Sequence, residues 1–237
     1  MIKLLDIKID ELDFQEAMRK IAGFLEEDKV HQICTVNPEF LVAARKDKEF
    51  KEVLNSSDLN VPDGFGLKIG SFFKGQKITE RITGVDLAWE ICKMAADRGK
   101  SVYFLGAKEG IAEKAAHRIK QLNPNLKIAG TYAGNPAEEG IVNKINETHP
   151  DILLVAFGAP KQDKFIYNNR ETLKVKVAMG IGGTLDYIAG NVQRAPKWIR
   201  ACGLEWLYRL IRQPRRIVRI LTAVFVFPIL VLFSTRG

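Results

Sequence analysis

Short apolar runs alternate with longer amphipathic segments along residues 1–193, and this alternation limits the folds open to the chain more than any other feature. Strands buried on both faces read as near-continuous apolar runs, whereas the helices that cross between them repeat their apolar residues every 3.6 positions. Residues 2–9, 32–36, 101–105, 127–131, 152–157 and 174–179 read as strands. Residues 14–27, 38–54, 85–98, 110–121, 137–147, 160–169 and 184–189 read as helices. Strands and helices taking turns in this way predict an α/β fold built on a Rossmann-like, doubly wound and largely parallel sheet.

Ligands of such a sheet bind beyond the carboxyl ends of the strands, where helix N-termini also point. Four polar or glycine-rich turns fall there: Thr35-Val36-Asn37, Gly106-Ala107-Lys108-Glu109-Gly110, Gly158-Ala159-Pro160-Lys161-Gln162 and Gly180-Ile181-Gly182-Gly183-Thr184. Glycine brings backbone N–H groups close to an anion, so a diphosphate is a reasonable occupant. No turn has the full dinucleotide or P-loop spacing. Between the first of these turns and the next, the chain returns to present Asp63 between Pro62 and Gly64. Thr35 and Asn37 are two apart and share a face if the strand runs through both. Asp63 is therefore the first candidate for a general base, although Val-Pro-Asp-Gly-Phe is equally the order of a simple β-turn.

The neighbouring motifs have structural readings as well. Asn37-Pro38 suits an N-cap followed by proline at the first helical position. Thr83-Gly84-Val85-Asp86 has capping-box spacing, Gln162 fits a solvated helix start, and Asp186 suits a helix dipole. Arg81 has no such structural role in the sequence and is a candidate for a phosphate. The three histidines have no metal-ligand spacing, and Cys34, Cys92 and Cys202 are widely separated. Neither a metal site nor a disulfide framework is expected, and a reducing compartment fits. The first thirty residues lack a long apolar core, so no signal peptide is expected. Hydrolase chemistry finds no G-x-S-x-G elbow and no Cys-His couple, and no D-x-D pair is present to hold a divalent metal.

Charge separates the chain into two parts. Its net charge is +8, and residues 194–237 carry nine basic residues against the single acid Glu205, which leaves residues 1–193 neutral. The expected organisation is a core over 1–193 and a C-terminal basic amphipathic helical appendage over 194–237. On one helix Arg209, Arg212, Arg216 and Arg219 would fall within an arc of about 80°, with Pro214 a kink or a new start. Residues 220–233 carry no charge, yet are short of the roughly twenty needed to span a bilayer. Such a tail reads as lying in a membrane interface with its arginines on anionic headgroups. A nucleic-acid partner would leave the apolar end unexplained. Away from a membrane, the exposed apolar tail predicts a homo-oligomer or disorder.

Several motifs in order then resemble one family, the WecG/TagA/CpsF glycosyltransferases, whose best-known members make the linkage unit of wall teichoic acid. They are Thr35-Val36-Asn37-Pro38, Pro62-Asp63-Gly64, Arg81-Ile82-Thr83-Gly84-Val85-Asp86, Gly158-Ala159-Pro160-Lys161-Gln162, Gly180-Ile181-Gly182-Gly183, Arg194-Ala195-Pro196-Lys197-Trp198 and Gly203-Leu204-Glu205-Trp206-Leu207. Asp163 departs slightly from relatives that carry glutamate there. The resemblance implies inverting transfer of N-acetylmannosamine from UDP-N-acetylmannosamine to polyprenyl-diphosphate-linked N-acetylglucosamine, with no metal and no cofactor. It implies that Asp63 is the base, that Thr35 and Asn37 position hydroxyls, and that Arg81, Gln162, Gly182 and Gly183 hold the donor. Tyr132 and Asp186 would meet the uracil, and Arg209, Arg216 and Arg219 would complete the site from the tail. The protein is then expected on the cytoplasmic face of the cell membrane, held peripherally. Other readings are a UDP-N-acetylmannosaminuronic acid or other UDP-hexose donor, a non-catalytic membrane-surface adaptor, and a nicotinamide-dependent oxidoreductase. The last needs a dinucleotide fingerprint after the first strand, and none is present.

Overall fold

A computed structural model describes residues 2–196, 198–199, 202–212, 214 and 217–234, with only the backbone of Arg209. Six strands, β3 (His31–Val36), β4 (Leu59–Pro62), β5 (Ser101–Gly106), β6 (Lys127–Tyr132), β7 (Ile152–Ala156) and β8 (Val177–Gly180), form one sheet in the order β4-β3-β8-β7-β5-β6. Every pairing within it is parallel. The helices of the core are α1 (Phe14–Phe24), α2 (Pro38–Ala44), α3 (Lys48–Ser56), α4 (Phe65–Phe73), α5 (Gly84–Asp97), α6 (Ile111–Leu122), α7 (Ile141–Glu147), α8 (Lys161–Asn168) and α9 (Thr184–Ile188).

Side chains alternate across the sheet, and each set finds a different apolar layer. Ile33, Val102, Phe104, Leu154 and Met179 pack with residues of α1, α5, α6 and α9. Their neighbours point to the opposite face, where Cys34 and Val36 meet α2 and α3, and Leu105, Leu153 and Val155 meet α7 and α8. A sheet covered on both sides is the doubly wound, Rossmann-like arrangement that the alternation of runs predicts.

Local differences from the expected elements have local causes. Residues 2–9 form a separate antiparallel hairpin of β1 (Ile2–Leu4) and β2 (Ile7–Ile9), not one strand. Its turn places Leu5 and Asp6 at φ 48° and 66°, the left-handed geometry that short hairpin turns require, without the glycine that usually marks one. Residues 38–54 split into two helices because the carboxylate of Asp47 accepts from the Phe50 N–H and caps α3 afresh. Edge strand β4 was hidden by its shortness and by Asn60, whose buried amide donates to the carbonyls of Lys8 and Leu54. Helix α4 was hidden by its two glycines, Gly66 and Gly70, and its apolar surround.

The tail is also interrupted. Its described residues form helices Glu205–Arg212 and Ile217–Leu221 with Pro214 between them, followed by a π-helical turn at Thr222–Val226 and helix Phe227–Phe233. The continuous arc expected for Arg209, Arg212, Arg216 and Arg219 is therefore corrected to two separate helices, and Arg216 lies outside the described residues. Phe227 and Val231 are fully buried in the layer formed by the hairpin, α2, α3 and α4. Gly70 makes this close approach possible, because a Cβ there would come within 2.8 Å of the Phe227 ring.

Candidate active site

The carboxyl ends of β3, β4, β7 and β8 converge on a cleft of about 130 Å³ lined by residues from the glycine turns, the Asp63 loop and, among the described tail residues, Arg219. Asp63 follows the last residue of β4, and its N–H donates to the carbonyl of Val36 at 2.7 Å, tying it to the end of β3. The Gly84 N–H, in the first turn of α5, donates to Asp63 Oδ2 at 3.2 Å. Gly64 has φ 107°, which only glycine adopts comfortably, so the chain can turn into α4 directly after the carboxylate. Asp63 is the one carboxylate among the described residues lining the cleft.

Thr35 is the buried penultimate residue of β3. Its methyl and hydroxyl lie beside Gly84, where a Cβ would approach to 3.3 Å. Asn37 caps α2 by accepting from the Phe40 N–H at 3.1 Å, and it also lines the cleft. Gln162 is 2% exposed. Its Oε1 accepts from the Gly158 N–H at 3.0 Å and the Gly182 N–H at 2.8 Å, so one side chain holds two glycine turns together. Gly182 and Gly183 line the cleft together with Thr184 and Tyr187.

Arg219 enters from the tail, and its Nε donates to Glu39 at 2.5 Å. The guanidinium is thus held at the mouth of the cleft by the first turn of α2. Two more ion pairs fasten the tail side of the molecule. Arg194 donates to both oxygens of Asp86, at 2.5 and 3.1 Å, while Thr83 caps α5. Arg81 meets the buried Glu205 at 3.3 Å.

The structure therefore brings Thr35, Asn37, Asp63, Gln162, Gly182, Gly183 and Arg219 to one cleft. It does not place Arg81 or Tyr132 among the lining residues. The Tyr132 hydroxyl, at the end of edge strand β6, lies 2.5 Å from Glu138 and 2.9 Å from Lys144. Asp186 sits in the first turn of α9, where its carbonyl accepts from the Asn191 and Val192 N–H groups. Arg212 donates to Gln193 at 3.1 Å, the side chain of Arg209 and all of Arg216 lying outside the described residues. Tyr187 escaped the sequence reading. Its only signal was a polar aromatic three residues after Thr184.

Beneath the cleft, Asp163 is fully buried, and neither carboxyl oxygen has a hydrogen-bond partner among the described residues. Burial pushes its carboxyl up to about 7, an effect that the neighbouring Cys34 thiol and the Gln162 amide only moderate. Among the described residues no group of three or more His, Cys, Asp or Glu could hold a metal. None of their helices is long and apolar enough to cross a membrane.

Residues 2–237 match the sequence profile of the glycosyl transferase WecG/TagA/CpsF family. The chain is similar to the N-acetylglucosaminyldiphosphoundecaprenol N-acetyl-beta-D-mannosaminyltransferase of Bacillus subtilis (strain 168), with 38% identity over 205 residues that cover 84% of this chain and 80% of the relative. The enzyme of the same name from Bacillus spizizenii is 35% identical over 84% of this chain and 78% of its own length. That from Staphylococcus aureus (strain MRSA252) is 30% identical over 92% and 87%.

Proposed function

Because the chain belongs to the WecG/TagA/CpsF family and is a glycosyltransferase, we propose that it transfers N-acetylmannosamine from UDP-N-acetylmannosamine to polyprenyl-diphosphate-linked N-acetylglucosamine. The names of its relatives support this acceptor and this sugar. The observation that carries the mechanism is a cleft with one carboxylate, Asp63, and one tail cation, Arg219, among its described lining.

A single carboxylate suits inversion in one displacement, since a retaining route through a covalent intermediate uses a pair. The acceptor hydroxyl oxygen attacks C1 of the donor sugar from the face opposite the diphosphate. The new C1–O bond forms as the C1–O bond to phosphate breaks, the hydroxyl proton passes to Asp63, and the electron pair leaves on UDP. Arg219 and the Gly182-Gly183 turn meet the charge that grows on the leaving diphosphate, so no metal is needed. Thr35 and Asn37 align hydroxyl groups beside the base. Gln162 shapes the donor pocket by bracing both glycine turns.

The apolar tail and its arginines dock the enzyme peripherally on an anionic membrane, where the lipid acceptor resides and the nucleotide donor arrives from the cytoplasm. The reading is supported by the exposed side chains of Phe225, Val226, Ile229, Leu232 and Phe233 on a tail whose other face is buried. The test is incubation of UDP-N-acetylmannosamine and a short-chain lipid-diphosphate N-acetylglucosamine with the full chain, vesicles and EDTA. A disaccharide lipid whose new linkage has the anomeric configuration opposite to the donor's is the expected product. Transfer abolished by EDTA and restored by a divalent cation would contradict the metal-free mechanism, and transfer only from another UDP-sugar would reassign the donor.

A further inference from the structure

A second cavity, of about 750 Å³, lies between the β1–β2 hairpin, the junction of α2 and α3, the end of α4 and the end of the tail. It shares no lining residue with the catalytic cleft. Among the described residues, its lining includes Lys3, Arg45, Lys48, Lys51 and Lys74 but only one acid, Asp6. That acid is engaged by Lys51 at 2.9 Å, and the surrounding cations hold its carboxyl below the usual carboxylate range. Lys74 Nζ donates to the carbonyl of Ser234, which fixes that residue at the cavity wall.

No side-chain hydrogen bond or close ion pair joins Lys3, Arg45 or Lys48 to a described residue, and Lys3 and Arg45 act on Asp6 only through their field. Lys48 is moreover the first residue of α3, where the positive end of the helix dipole disfavours a cation. Five cations gathered in a concavity around one acid repel one another, and a bound anion removes that cost. The buried carboxamide oxygen of Gln76, another lining residue, also has no partner among the described residues. A hydroxyl donor beside the anion would satisfy it.

The rim of this cavity is apolar and exposed. Phe72 and Phe73 immediately precede Lys74 and are 78% and 45% exposed, and Phe233, also lining the cavity, is 86% exposed. These side chains continue the exposed face of the tail, which runs along α2 from Arg219 at Glu39 to the cavity. We infer that the cavity binds the phosphate and hydroxyl groups of an anionic glycerophospholipid headgroup, with Phe72, Phe73 and Phe233 in the apolar layer beside it. Resting on the peripheral-membrane reading above, this site would be the second point of attachment, at the far end of the tail from the catalytic cleft. Two cationic ends joined by an apolar stripe orient the molecule on the surface, so that the cleft faces its lipid acceptor.

The test uses the full chain, sedimented with phosphatidylcholine vesicles with and without phosphatidylglycerol, and a K3Q/R45Q/K48Q variant whose three positions are exposed and lie outside the catalytic cleft. The expected result is a fall of about tenfold to a hundredfold in partitioning onto phosphatidylglycerol vesicles, with transfer to a short-chain acceptor in solution unchanged. Wild-type partitioning by the variant overturns the headgroup site and leaves the membrane reading standing. Failure of the wild type itself to bind any vesicle overturns both. Loss of inorganic phosphate binding in solution, with vesicle partitioning retained, assigns the cavity to a free anion and likewise overturns the proposal.

Discussion

At the scale of the residue, the cleft depends on a few buried polar groups. Gln162 accepts from two glycine N–H groups, and Gln162→Leu would orphan both, at about 1–3 kcal/mol each where water cannot replace the amide. A urea midpoint lowered accordingly, together with a raised KM for the donor, is the expected outcome. Asp163 gives a pH dependence whose sign is fixed by burial, since its carboxyl rises from 3.8 to about 7. Between those values the folded chain holds a proton that the unfolded chain has released, so stability falls as pH rises through this window and the loss is complete above it. Asp163→Asn removes that loss, by an amount on the order of 4 kcal/mol at most. Urea unfolding at pH 5 and pH 8 should show the variant losing less stability than the wild type over this interval. The convergence of Thr35, Asp63, Gln162 and the Gly182-Gly183 pair was legible because each stands at or just beyond the end of an apolar run. The placing of Arg81 against Glu205 was not, because its partner is 124 positions away in the chain.

At the scale of the element, the amphipathic helices were legible from their period, and the buried strands β3, β5 and β7 from their apolar runs. What the residues did not reveal follows from tertiary context. Edge strand β4 is four residues long and contains Asn60 and Pro62, an order that suggests a loop until the hairpin and α3 are present to accept from Asn60. Helix α4 needs glycine where the tail crosses it, and glycine disguises a helix. Gly70→Leu would drive a side chain into the Phe227 ring. The expected result is a loss of about 1–3 kcal/mol of overpacking strain, or release of the tail. Hydrogen exchange over residues 217–233 separates the two, because only release accelerates it.

At the scale of the molecule, ion pairs bring the charged tail back onto a neutral core. Arg194 with Asp86, Arg81 with Glu205 and Arg219 with Glu39 span from the start of the tail to the cleft. The excess of positive charge beyond residue 193 was plain in the sequence, but its division between the cleft and the membrane face was not, because Pro214 divides the helix that would have carried it. On the proposed mechanism Arg219→Gln lowers turnover by about tenfold to a thousandfold while vesicle binding falls no more than about fivefold, a surface charge being worth about 1 kcal/mol at an anionic membrane. Equal losses of turnover and vesicle binding would make Arg219 a membrane contact alone.

The most direct test of the account is the turnover number of Asp63→Asn with UDP-N-acetylmannosamine and the short-chain lipid acceptor, measured in EDTA. Asparagine keeps the size of the side chain and can still accept from the Gly84 N–H, so the fold and donor binding should survive. Removal of a general base predicts a fall in kcat of about 10²–10⁴-fold with the donor KM little changed. A variant that turns over at the wild-type rate would contradict the assignment of Asp63, and with it the single-displacement mechanism built on that carboxylate.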